Sequence, residues 1–76
     1  MEELLDYIVK QLVSKPENVK IDVEENGKQI DMVVHVDKED MGAVIGRGGR
    51  VANSIRSVVR TAAKKQNKFV NIKFGE

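Results

Sequence analysis

The dipeptide Asn26-Gly27 stands between two stretches of alternating apolar and polar residues, and no other feature of the chain restricts its fold so tightly. Asn-Gly readily takes the positive φ angles of a two-residue hairpin turn, whose twist matches that of the strands it joins. Val19, Ile21 and Val23 lie on one side; Ile30, Met32, Val34 and Val36 lie on the other. A loop made of Asn26 and Gly27 pairs Glu25 with Lys28, and hence Val23 with Ile30, Ile21 with Met32 and Val19 with Val34. Apolar residues then meet across the hairpin, so one face belongs to a core and the other to water. The wet face places Asp22 opposite Asp31, a like-charge pair whose cost solvent must relieve.

The flanking segments supply what covers that apolar face. From Glu2 to Ser14, Leu5, Ile8 and Leu12 fall at helical spacing with Leu4 and Val9 beside them, and Pro16 ends the segment. Asp37 can cap a short helix running through Ile45, with Met41, Val44 and Ile45 as its apolar side and Gly46 as its left-handed terminus. From Arg50 to about Gln66, the residues Val51, Ile55, Val58, Val59 and Ala62 make an apolar stripe, with Arg50, Asn53, Ser57, Arg60 and Lys64 opposite. Lys68 to Phe74 closes the chain as a strand that alternates through Val70, Ile72 and Phe74.

The order is therefore α-β-β-α-α-β. A strand joined to the hairpin through a helical crossover pairs in parallel, most simply beside the second strand. This predicts an α+β two-layer sandwich, a three-stranded sheet with helices on one face. At 76 residues the chain has room for one domain, residues 1–76, and only a modest core. It has no cysteine for a disulfide or thiolate metal site, which suits a reducing cytosol. Acids at Glu2, Glu3 and Asp6 replace the basic flank of a secretory signal, and no apolar run approaches membrane-spanning length, so a soluble cytoplasmic protein is expected.

Charge is unevenly spread. Residues 1–40 hold 5 Lys against 11 acids, whereas residues 41–76 hold 8 Lys and Arg against Glu76 alone. Such asymmetry points to a polyanionic partner for one face, though a solvated basic helix would read alike. Between the two predicted helices of the basic half runs Gly46-Arg47-Gly48-Gly49. Glycines there permit chain reversal and let another backbone approach, and they deliver amides to the start of the long helix, where the dipole favours an anion. Arg47 and Arg50 add charge for phosphate oxygens. The spacing excludes a Walker loop, which needs a following Lys-Ser or Lys-Thr, and Val51 occupies the third glycine position of a dinucleotide fingerprint.

The run Val44-Ile45-Gly46-Arg47-Gly48-Gly49-Arg50-Val51-Ala52, followed by Ile55-Arg56, resembles the signature of KH domains in the bacterial, type II arrangement. The likeness covers essentially the whole chain and is to single-domain KH proteins of the KhpA type. It implies a single-stranded RNA-binding protein whose GxxG loop clamps the backbone of about four nucleotides beside an apolar groove for bases. Carried over by position, Gly46, Arg47, Gly48 and Gly49 form the clamp, Ile45 and Val51 line the groove, and Arg50 and Asn53 stand beside them in the first turn of the helix. The resemblance further implies an RNA chaperone or post-transcriptional regulator linked to cell shape and division, acting as a homodimer or with a larger KH-containing partner. One departure is Gly48, a third glycine where many members carry a larger residue.

Other functions find little footing. His35 is the only histidine and falls on the wet strand face, the serines lack an evident base, and no enzyme, cofactor or metal site is expected. Asp37, Glu39 and Asp40 lack the spacing of a calcium loop and read as a cap and helix start. The wet face offers acids where a sheet-platform RNA binder needs aromatics. The long helix lacks the Trp, Phe or Leu that anchors helices at membranes. The remaining alternative is a dimerisation module in which RNA contact is secondary.

Overall fold

One hairpin and one crossover account for the whole sheet. The computed structural model describes residues 1–76, which form α1 (Glu2–Leu12), β1 (Lys20–Asn26), β2 (Gln29–His35), α2 (Met41–Ile45), α3 (Arg50–Lys64) and β3 (Phe69–Gly75). The sheet order is β1-β2-β3, with β1 antiparallel and β3 parallel to β2, as expected from the chain order. Leu5 and Val9 of α1, Val44 of α2 and Ile55, Val59 and Ala63 of α3 are buried with Ile30, Met32, Val34, Val70 and Ile72 of the sheet. This is the two-layer α+β arrangement that the sequence predicts.

The hairpin register differs from the expectation by one step of the turn. Asn26 stays in the strand and pairs with Gln29, so the turn is Gly27-Lys28, and Val23 pairs with Met32 and Ile21 with Val34. The cause is that only Gly27, at φ +59°, takes a positive angle, and it does so at the first turn position rather than the second. Partners shift by two residues, which preserves parity, so each side chain keeps its assigned face. On the wet face Glu24 replaces Asp22 opposite Asp31, and Asp22 faces Val33. Asp22 instead meets His35, whose Nε2 donates to its Oδ2 at 2.8 Å while Nδ1 donates to the Glu76 carbonyl at 3.1 Å. Both ring nitrogens can donate only when the imidazole is protonated, and the Glu76 carbonyl, followed by Asp22, raises the His35 pKa above its ordinary value.

The first helix ends at Leu12, short of the expected Ser14, because a carboxylate captures the backbone there. Asp40, only 4% exposed, accepts from the Ser14 amide at 2.9 Å, the Ser14 hydroxyl at 2.8 Å and the Lys15 amide at 3.1 Å. The Ser14 amide, with the hydroxyl and the Lys15 amide behind it, holds the Asp40 carboxyl below its ordinary pKa. Asp40 thus fastens the exit of α1 to the entry of α2, and Leu12 is left exposed. Asp37 caps the intervening 3-10 turn, Lys38–Asp40, by accepting from the Glu39 amide.

On α3 the buried stripe is Ala52, Ile55, Val59 and Ala63, rotated from the expected one; Val58 is 51% exposed. Ala52 and Ala63 occupy buried positions of this stripe, which leaves Val58 on the outer side of the helix. Its C-terminus closes in a Schellman pattern: the Lys68 amide donates to the Ala63 carbonyl and the Asn67 amide to that of Lys64, with Asn67 left-handed at φ +59°. That reversal sends the chain directly into β3.

Candidate nucleic-acid interface

Between α2 and α3 the chain reverses within the four residues Gly46-Arg47-Gly48-Gly49. The Gly46 amide closes α2 on the Gly42 carbonyl at 2.9 Å, but Gly46 has φ +75° and ψ 171°, extended rather than left-handed helical as the sequence suggested. This region is essentially restricted to glycine. Space demands glycine too: a Cβ there would lie 2.5 Å from Val51 Cγ2 and 2.9 Å from the Val51 amide nitrogen. Gly48 and Gly49 are consecutive left-handed residues, at φ +65° and +78°. A Cβ on Gly48 would meet open space, so its backbone angle alone accounts for the third glycine.

The loop delivers Gly49 to the N-terminus of α3, which carries no side-chain cap. The Gly49 and Arg50 amides donate to the Gly46 and Arg47 carbonyls, so what α3 turns toward the loop is the positive end of a 15-residue helix. Arg47 and Arg50 are exposed on either side of this opening. The ion pairs of the molecule engage lysines and His35 but no arginine, which leaves both guanidinium groups available to an anion. Ile45 and Val51 flank the loop half-buried, resting on the core cluster. Asn53 is exposed one turn along α3, its Oδ1 accepting from Arg56 at 3.0 Å, so its amide NH2 remains free to donate. The structure thus brings all eight sequence-derived candidates, Ile45 to Val51 and Asn53, around one opening.

Sequence reasoning missed the groups that continue this surface. Phe69 donates its amide to the Lys28 carbonyl and Gly75 accepts from the Val36 amide, so odd-numbered β3 residues face β2. Val70, Ile72 and Phe74 consequently turn their backbone groups toward the free edge. Arg56 Nε donates to the Ile72 carbonyl at 3.1 Å, and Arg60 Nε to that of Val70 at 3.5 Å. The Arg56 guanidinium also lies over the Phe74 ring, 5.3 Å from its centroid. The available signal was the spacing of Arg56, Arg60 and Lys64, which puts three cations on one line of a helix. The wet sheet face, expected to offer acids, also carries an aromatic, Phe69 at its corner.

A family model for the KH domain of KhpA and KhpB matches residues 2–74. The chain is 47% identical to the RNA-binding protein KhpA of Clostridium perfringens over 70 residues, covering 92% of this chain and 93% of that one. It is 43% identical to the RNA-binding protein KhpA of Listeria monocytogenes over 76 residues, the full length of both. The expectation of a non-enzymatic protein agrees with these relatives. Among solved structures, Aquifex aeolicus Era bound to GDP and aluminium fluoride superposes with a TM-score of 0.70 at 15% identity, covering 96% of this chain and 29% of that one. Era in complex with MgGDPNP and a segment of 16S ribosomal RNA gives 0.67 at 18% identity, covering 96% of this chain and 28% of that one. These two likenesses describe the fold, of which this chain spans under a third of the Era polypeptide. With the family model and both relatives covering nearly its whole length, the chain belongs to the KhpA/KhpB family of KH-domain proteins.

Proposed function

We propose that this chain is a single KH domain, residues 1–76, that binds single-stranded RNA through the Gly46-Arg47-Gly48-Gly49 loop. The observation that carries the reading is a helix N-terminus without a side-chain cap, flanked by two arginines without acidic partners. Arg47, Arg50 and the loop amides hold phosphates, the apolar flanks of Ile45 and Val51 receive bases, and the Asn53 amide donates to a base or sugar. The names of the relatives support RNA as the ligand. In the cell such a domain acts in the cytoplasm as an RNA chaperone or post-transcriptional regulator linked to cell shape and division, as a homodimer or with a larger KH-containing partner.

The test is a salt titration of binding to short single-stranded RNA, comparing wild type with Arg47→Asp/Gly48→Asp. Aspartate tolerates the left-handed angle of Gly48 and meets no neighbour there, so the variant folds. Its affinity falls more than about tenfold, with a shallower salt slope. Unchanged affinity removes the loop from the site. A second reading, a dimerisation module, is favoured by exposed Tyr7, Leu12 and Val23 on the α1 and β1 side, and sedimentation of the same two proteins separates it from RNA binding.

A further inference from the structure

The cationic line on α3 ends at a group that the loop does not explain. Arg56 and Arg60 touch the carbonyls of Ile72 and Val70 in turn, so the helix runs antiparallel to β3 and its line of cations descends the strand's free edge. At the bottom, Arg60, Lys64, Lys68, Phe69 and Val70 line a shallow open cavity of about 130 Å³. Phe69 is 63% exposed and lies outside the core cluster. The chain has two phenylalanines with different surroundings: Arg56 covers the ring of Phe74, while no cation lies over that of Phe69. Glu25 is the one acid paired in this corner, and it is held by Lys68 at 3.6 Å, leaving Arg60 and Lys64 without an acidic partner.

An open aromatic ring among unpaired cations, beside outward strand amides, fits single-stranded nucleic acid: bases stack on such rings without regard to sequence, and the cations follow the backbone. We propose that Phe69, Arg60 and Lys64 form a second RNA subsite, with a base stacked on Phe69 and its phosphate held by Arg60 and Lys64. This rests on the RNA-binding reading above. The start and end of α3 lie ~21 Å apart at about 1.5 Å per residue. A tetranucleotide centred on the loop stops short of Phe69, and an octanucleotide reaches it.

Chain length therefore provides the test. Fluorescence anisotropy measures binding of labelled tetra- and octauridylate, and of the corresponding oligoadenylates, to wild type, Phe69→Ala, Phe69→Tyr, Arg60→Gln and Arg47→Asp/Gly48→Asp, with thermal midpoints to establish that each variant is folded. Phe69→Ala weakens octamer binding roughly fivefold or more and leaves the tetramer unaffected, while Phe69→Tyr retains wild-type affinity for both. Arg60→Gln lowers octamer affinity and reduces its salt slope by about one. Octamer binding that is indifferent to Phe69→Ala, with the loop variant defective on both lengths, overturns the second subsite and leaves the loop reading standing. A change in sedimentation of Phe69→Ala without a change in RNA affinity also overturns it, in favour of a protein contact. Full binding of both lengths by the loop variant overturns the loop reading instead.

Discussion

Along β3, arginines from α3 reach across to the strand's outward carbonyls, whereas along β1 no side chain reaches the edge. Strand edges are hazards because unpaired backbone groups invite another strand. At β3 the covering groups are cations, so the edge is closed by side chains that also carry charge. At β1 the protection is electrostatic: Asp22, Glu24 and Glu25 stand within a seven-residue strand. Antiparallel pairing of β1 with a copy of itself, centred on Val23, sets Asp22 against Glu24 of the other copy, a like-charge contact. The same sheet thus guards one edge with cations and the other with acids.

The largest effect is expected from breaking the β3 side. Arg56→Met keeps the apolar stem but removes the bonds to Ile72 and Asn53 and the contact with Phe74, and should cost about 1–2 kcal/mol in urea unfolding. A loss no greater than that of exposed Arg50→Met means the arginine does not close the edge. On the β1 side the change runs the other way. Glu24→Thr relieves the repulsion with Asp31 and should raise stability by about 0.5 kcal/mol, while sedimentation at high concentration reveals self-association through the less charged edge. A drop in stability shows that the acidic pair carries no penalty.

The smallest effect concerns the one side chain that joins both edges. His35 on β2 holds Asp22 of β1 and the carbonyl of Glu76, which follows β3. Because its folded pKa is raised, the protonated clasp contributes fully below the unfolded value of about 6.5 and is lost as pH rises through the folded pKa. The thermal midpoint should therefore fall modestly between pH 6 and 8, in step with the NMR titration of the His35 ring, and His35→Gln should flatten the profile. A profile unchanged in His35→Gln assigns the dependence to another group.

Alternation and chain order were enough for the sheet topology, the two layers and the place of the glycine loop. The turn was placed one residue early because Asn-Gly is a local signal, and the choice between Asn26-Gly27 and Gly27-Lys28 is made by pairing along the whole strand. Faces survived the error because partners moved by an even number. The buried stripe of α3 was misplaced toward Val58 since a valine counts for more than an alanine in any apolar pattern, yet alanines are what permit close packing. Asp40 was legible as part of a helix start, but its partners, Ser14 and Lys15, lie about 25 residues away and leave no local trace. Around the loop the candidates lie together because seven of them are consecutive and Asn53 follows within a helical turn. Arg56 and Arg60 were not gathered with them, because their partners are backbone carbonyls, which every residue possesses and no sequence pattern distinguishes.

The division of charge between the two halves of the chain becomes, in the fold, a contrast between the acidic β1 edge and the cationic line of α3 along β3. With a net charge of +1, the molecule feels little overall pull toward a polyanion. What it feels is a torque: in the proposed complex the separated charges act as a dipole that turns the glycine loop and α3 toward the strand and swings the acidic hairpin away before any contact forms. Such pre-alignment raises the fraction of encounters that arrive in a usable orientation. It also makes ionic strength act on the approach, slowing association as well as weakening the complex once formed.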